Sequence, residues 1–148
     1  IERADNTARI LDVKYYVLLP TGASVGSSLD NVQWEMILRS ASAERSFHWL
    51  HPGNANPKAI AEFLILDARM PRSLAYCYDE LIVHLGALEA AYGDHRTCHD
   101  LAAGLEASLT GRSIENIMDF GLHEFIREFL RANAALAMQI ETDYRFYD

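Results

Sequence analysis

Four prolines and two cysteines in 148 residues are few, and long β-branched runs are missing. Scarce proline leaves helices uninterrupted, and without β-branched runs a sheet loses its usual material. Two cysteines, Cys77 and Cys98, allow at most one disulfide. In an acidic chain of this size they read as free thiols in a reducing compartment, which makes the cytoplasm the expected location. No apolar stretch approaches the roughly 18 residues that a bilayer span requires, and no signal peptide is legible. Positive charge is short as well: 13 Lys and Arg stand against 21 Asp and Glu, a formal net charge of -8. Such a surface repels phosphate backbones and anionic lipid, so neither nucleic acid nor membrane is expected as a partner.

Half of the residues are hydrophobic and 23% are charged, the balance of a folded globular chain with one core, so 1–148 reads as a single helical domain. The apolar positions recur with helical period throughout. A first helix runs from Ile1 to about Leu19 through Ala4, Ala8, Leu11 and Tyr15, stops at Pro20 and leads into a small-residue loop. A second starts near Ser28, carries a stripe at Leu29, Val32, Met36, Ala43, Phe47 and Leu50, and breaks at 51–56. Asn56 before Pro57 reads as a cap with a first-turn proline, opening a short helix through Ile60, Phe63 and Leu64. Another start at Pro71 leads into the clearest stripe of the chain, from Leu74 to Tyr92, with Gly93 as a left-handed cap. Thr97 and Asp100 resemble a capping pair for a helix that Gly111 ends. Ser113 caps a last segment carrying Ile114, Ile117, Phe125, Phe129, Leu136, Ile140, Tyr144 and Tyr147, kinked at Gly121. The expected fold is all-α, a bundle of about six helices.

Several short motifs invite a chemical reading. His95, Cys98, His99 and Asp100 fall within six residues, but a closed zinc site needs a second ligand pair, and the expectation is a polar interhelical loop with no metal. Asp119–Gly121 spells the kinase magnesium motif without its Gly-rich loop, strand lysine or catalytic loop; a helix kink with a buried Phe120 is expected. The 22–28 stretch lacks the lysine ending of a phosphate loop, and no cofactor is expected. His123 and Glu124 form a conceivable acid/base couple, but no nucleophile accompanies them, and an exposed polar face is the expectation. Asp67, Arg69, Arg72 and Ser73 flank Pro71 at a helix start, where backbone N–H groups and two guanidiniums suit a carboxylate or phosphate. The alternative is that Asp67 pairs with those arginines and nothing binds.

The opening "IERADNTARILDV" reads as mid-helix, uncapped and dense in charge. It resembles the hallmark of the Alpha-E superfamily, a bacterial all-helical domain marked by a Glu-Arg pair, here Glu2-Arg3. Further matching stretches are Leu29–Ser40, Glu62–Leu81 and Gly121–Leu130. The resemblance implies a domain about twice this length with an ER helix in each half, so the chain is expected to correspond to the carboxyl-terminal half, entered partway along its ER helix. It also implies an accessory or interaction domain acting with an ATP-grasp-type ligase in peptide or amide-bond chemistry. The partner would be that ligase or the other half, with self-association left open. The motif residues that carry over are Glu2 and Arg3, with Asn6 and Arg9 on neighbouring turns. Two rival readings stand beside this one. The first is an enzyme that binds an anionic substrate through Arg3, Arg9 and Arg72 and uses Glu2 or Glu124 as base. The second is a purely architectural domain. Because Arg3 borders the apolar Ala4/Ala8/Leu11 side, it is expected either to fold back along the surface or to engage a buried carboxylate, with Glu2, Asp67 or Asp119 as candidates, and a structural role is the favoured one.

Overall fold

The computed structural model describes residues 1–16, 28–53 and 55–145 and, within them, every side chain except those of Tyr15, Tyr16 and Leu29. The expected stop at Pro20, the loop over 21–27 and Tyr147 lie outside these residues. The elements are α1 (Glu2–Tyr16), α2 (Ser28–Ser40), α3 (Glu44–Leu50), α4 (Pro57–Ile65), α5 (Leu74–Tyr92), α6 (Thr97–Thr110), α7 (Ile114–Phe120) and α8 (Leu122–Tyr144). Among the described residues there is no strand, and no helix is long and apolar enough to cross a membrane.

Among the described residues the segments expected as about six helices form eight, because two of them are divided. The first division falls after Ser40, where Ser42 takes φ +54°. There the Ala43 N–H donates to the Leu38 carbonyl at 2.8 Å and the Ser42 N–H to that of Arg39 at 2.9 Å. This is the Schellman termination, with serine in the left-handed position that glycine usually marks. With the stripe no longer continuous across the break, α2 buries its own face at Trp34, Ile37 and Leu38, while Val32 and Met36, expected in the core stripe, are 55% and 50% exposed. The second division is Gly121, at φ +116° and ψ +119°, a full break rather than a kink. Phe120 beside it is 49% exposed, not buried, with the Arg112 guanidinium 5.6 Å from its ring centroid.

Local capping explains most other boundaries. Asn56 Oδ1 accepts from the Ala59 N–H at 2.8 Å with Pro57 in the first turn, Ser113 Oγ accepts from Asn116 at 3.2 Å, and Gly93 closes α5 at φ +76°. α5 begins at Leu74 with Ser73 as its cap, so Pro71 belongs to the preceding turn. At α6, Thr97 and Asp100 do not form the expected pair. His99 Nδ1 accepts from the Arg96 N–H at 3.0 Å, and Asp100 turns to His95 at 2.9 Å.

α1 packs on α8, α5 and α2, and α5 and α8 both pack on α6. A continuous core runs from Ala4, Ala8 and Leu11 of α1 through Trp34, Phe47, Phe63, Leu74 and Tyr78 to Phe125, Phe129 and Leu136. At its centre Tyr78 Oη donates to Asn133 Oδ1 at 2.6 Å, and Asn133 Nδ2 donates to the Ile1 carbonyl at 3.4 Å. That chain fixes the first turn of α1 against α5 and α8, and with it the placement of Glu2 and Arg3.

Candidate functional site

The turn between α4 and α5 is built from its own side chains. Asp67 accepts from the Arg69 backbone N–H at 2.9 Å and from its guanidinium at 3.0 and 2.8 Å. Ser73 Oγ donates to the Asp67 carbonyl at 2.6 Å and accepts from the Tyr76 N–H at 3.0 Å. The turn is therefore pinned at both ends, with buried Met70 beneath it. The Pro71 carbonyl at its crest accepts from Arg3 Nη1 at 3.3 Å. None of the carboxylates expected for Arg3 forms an ion pair with it among the described residues; its partner is a backbone oxygen.

Between this turn, the first turns of α1 and the first half of α5 lies an open cleft of about 640 Å³. Glu2, Arg3 and Asn6 enter it from α1, Arg72 from the turn, and Tyr76, Cys77, Glu80 and His84 from α5. Arg72, Tyr76, Glu80 and His84 are spaced by four, which is one face of a helix extended from Arg72. That spacing was legible in the sequence; α5 was read there only for its apolar stripe. Burial pushes the Cys77 thiol up, against the opposing pull of the Ile1 amino group and, after it, of Arg3 and Arg72. Its Sγ lies 3.8 Å from the Pro71 oxygen. A thiol kept protonated in this way is a poor nucleophile, so the cleft offers two cations, two carboxylates and amide and imidazole groups for binding.

The other candidates lie elsewhere. Arg9 is held by Asp5 on its own helix at 2.7 Å and does not line the cleft. Asp67 is engaged by Arg69, whose hydrogen bonds are the main cause of a carboxyl held below its usual range. Of the two outcomes expected for the turn, Asp67 thus follows the paired one while Arg72 faces the cleft. His123 is not on an exposed face: its Nδ1 lies 2.7 Å from Asp12 Oδ1, with the two side chains only 10% and 11% exposed. Glu124 is exposed beside Gly121, whereas His123 is shielded against Asp12.

Of the residues at 95–100, His95 bridges Glu89 and Asp100, each at 2.9 Å. His99 accepts at Nδ1 from Arg96, which leaves Nε2 to donate to the Leu85 carbonyl at 3.0 Å. Among the described residues the group with ligand atoms close enough for a metal is different: Glu35 of α2 with Glu44 and His48 of α3, all within 4.8 Å. Arg39 already donates to Glu44 there at 3.1 Å.

Comparison with known proteins matches residues 1–145 to Alpha-E, a predicted alpha-helical domain with a conserved ER motif. No curated protein and no solved structure matches the chain. The dipeptide occurs twice, at Glu2-Arg3 and Glu44-Arg45; the first pair lines the cleft, and Glu44 is taken up by Arg39.

Proposed function

The chain belongs to the Alpha-E family, and from this we propose that it is a helical accessory domain that binds an anionic substrate group on behalf of an ATP-grasp-type ligase. The observation that carries the reading is the meeting of Arg3 and Arg72 in one cleft. Arg3 is steadied by the Pro71 carbonyl and has no carboxylate ion pair among the described residues. A guanidinium fork matches the two oxygens of a carboxylate, and two forks at one end of a cleft hold an anion more firmly than a surface lysine would. The raised Cys77 thiol supports binding rather than covalent catalysis. A cytoplasmic setting fits the two free thiols. We read Glu2-Arg3 as the motif pair.

The test is calorimetric titration of the chain with N-acetylated trialanine, which carries a carboxylate and no ammonium. Binding that falls about tenfold or more in Arg3→Gln and in Arg72→Gln supports the reading, the size expected for losing a charge-assisted hydrogen bond. Equal binding by both variants overturns it. The ligase partnership is tested by adding the chain to a purified ATP-grasp ligase: ATP turnover unchanged over an excess of chain removes that part. A second reading, an enzyme with Glu2 as base on a substrate anchored by Arg3 and Arg72, draws on the same cleft. In that case the chain alone would convert substrate, with Arg9 and Glu124 dispensable.

A further inference from the structure

We infer that the cleft takes an extended zwitterion of about tripeptide length, its carboxylate at Arg3 and Arg72 and its ammonium at Glu80. This rests on the anion-binding reading above and goes beyond it, because Glu80 stands in the same cleft well away from the two arginines. Two arginines and two glutamates face the same space, so an anion alone leaves the Glu80 carboxylate without a ligand group to meet it. The charges are also ordered along α5. Arg72 precedes the cap Ser73, and the Pro71 carbonyl brings the Arg3 guanidinium to the same end. Glu80 lies seven residues beyond Ser73 on a continuous helix, about 10 Å along the axis at 1.5 Å per residue. Three extended residues span at most about 10 Å, which sets the ligand length. At the Glu80 end His84 follows a turn later, its Nε2 3.9 Å from Glu80 Oε2, so the acidic end offers both a carboxylate and an imidazole. Tyr76 and Cys77 lie between the two ends and give the middle of the ligand a largely uncharged wall.

Titration with trialanine, its N-acetyl form and its C-terminal amide separates this inference from the reading beneath it. The free peptide should bind tightest, and each blocked form about tenfold more weakly. Glu80→Gln should weaken the free peptide and the amide while leaving the N-acetyl form unchanged. If the N-acetyl form binds as well as the free peptide and only the amide loses affinity, the zwitterion is overturned and the anion site stands. If Glu80→Gln changes none of the three, the ammonium assignment falls in the same way. Equal binding of all three, or of none, overturns both.

Discussion

The two ends of α1 use charge in opposite ways. At its start Glu2, Arg3 and Asn6 face an open cleft, and among the described residues Arg3 has a backbone carbonyl as its hydrogen-bond partner. At its far end Asp12 meets His123 of α8 at 2.7 Å, and Lys14 pairs with Asp30 of α2 and donates to Gln33 at 2.7 Å, all of them largely shielded from water. Charges taken out of water must be matched by close partners, or they cost several kcal/mol each; charges left at a cleft remain hydrated and available to a ligand. One helix thus buries paired charges at one end and leaves Glu2 and Arg3 facing an open cleft at the other.

The contrast predicts a steep difference in mutational cost. Lys14→Met removes one partner of a buried pair and should lower stability by about 3–5 kcal/mol. A chemical denaturation midpoint close to the wild-type value would break the comparison at its stronger end. Gly121→Ala comes next. Gly121 sits immediately before α8 at φ +116°, and an added Cβ meets the Glu124 carboxylate. The strained backbone should cost about 1–3 kcal/mol and loosen the turn that leads into His123. Thermal melts read the stability, and the His123 ring signals in NMR read the loosening.

At the cleft end Arg3→Lys should cost less than about 1 kcal/mol, since an exposed side chain is exchanged and no carboxylate pair is broken, while binding of an N-acetylated peptide falls. A large drop in melting temperature would give Arg3 the structural role expected from its place beside the apolar side of α1. The smallest effect belongs to Asp67. Hydrogen bonds from Arg69 hold its folded-state carboxyl below the ordinary value of 3.8. A group with a depressed folded pKa adds stability above its unfolded pKa and loses it as pH falls through the folded one. Wild type should therefore exceed Asp67→Asn by under about 1 kcal/mol at neutral pH, with the gap closing below about pH 4. A gap that persists at pH 2.5 would assign the effect to packing instead.

Legibility in the sequence followed locality. Caps at Asn56 and Ser113 and the left-handed Gly93 were readable because a side chain or a glycine marks each one. The break at Ser42 was hidden because serine there adopts a conformation that its identity does not announce. Missing that break put Val32 and Met36 in the core in place of Trp34 and Leu38. The cleft was half visible: Glu2, Arg3 and Arg72 could be named, but Glu80 and His84 were passed over beside an apolar stripe that commanded the reading of α5.

By itself the sequence determined the all-α class, most of the helix ends and the Ala4/Ala8/Leu11 seam, because helical period and capping act within a few residues of chain. Tertiary structure alone decided which charges are buried and which remain open. Asp12 and His123 stand 111 positions apart and Arg3 and Pro71 stand 68 apart, and only the packing of α1 on α8 and α5 brings them together. The ionic character of each group is written in its residue type. Its partner, and so its role, is set by distances that exist only once the chain has folded.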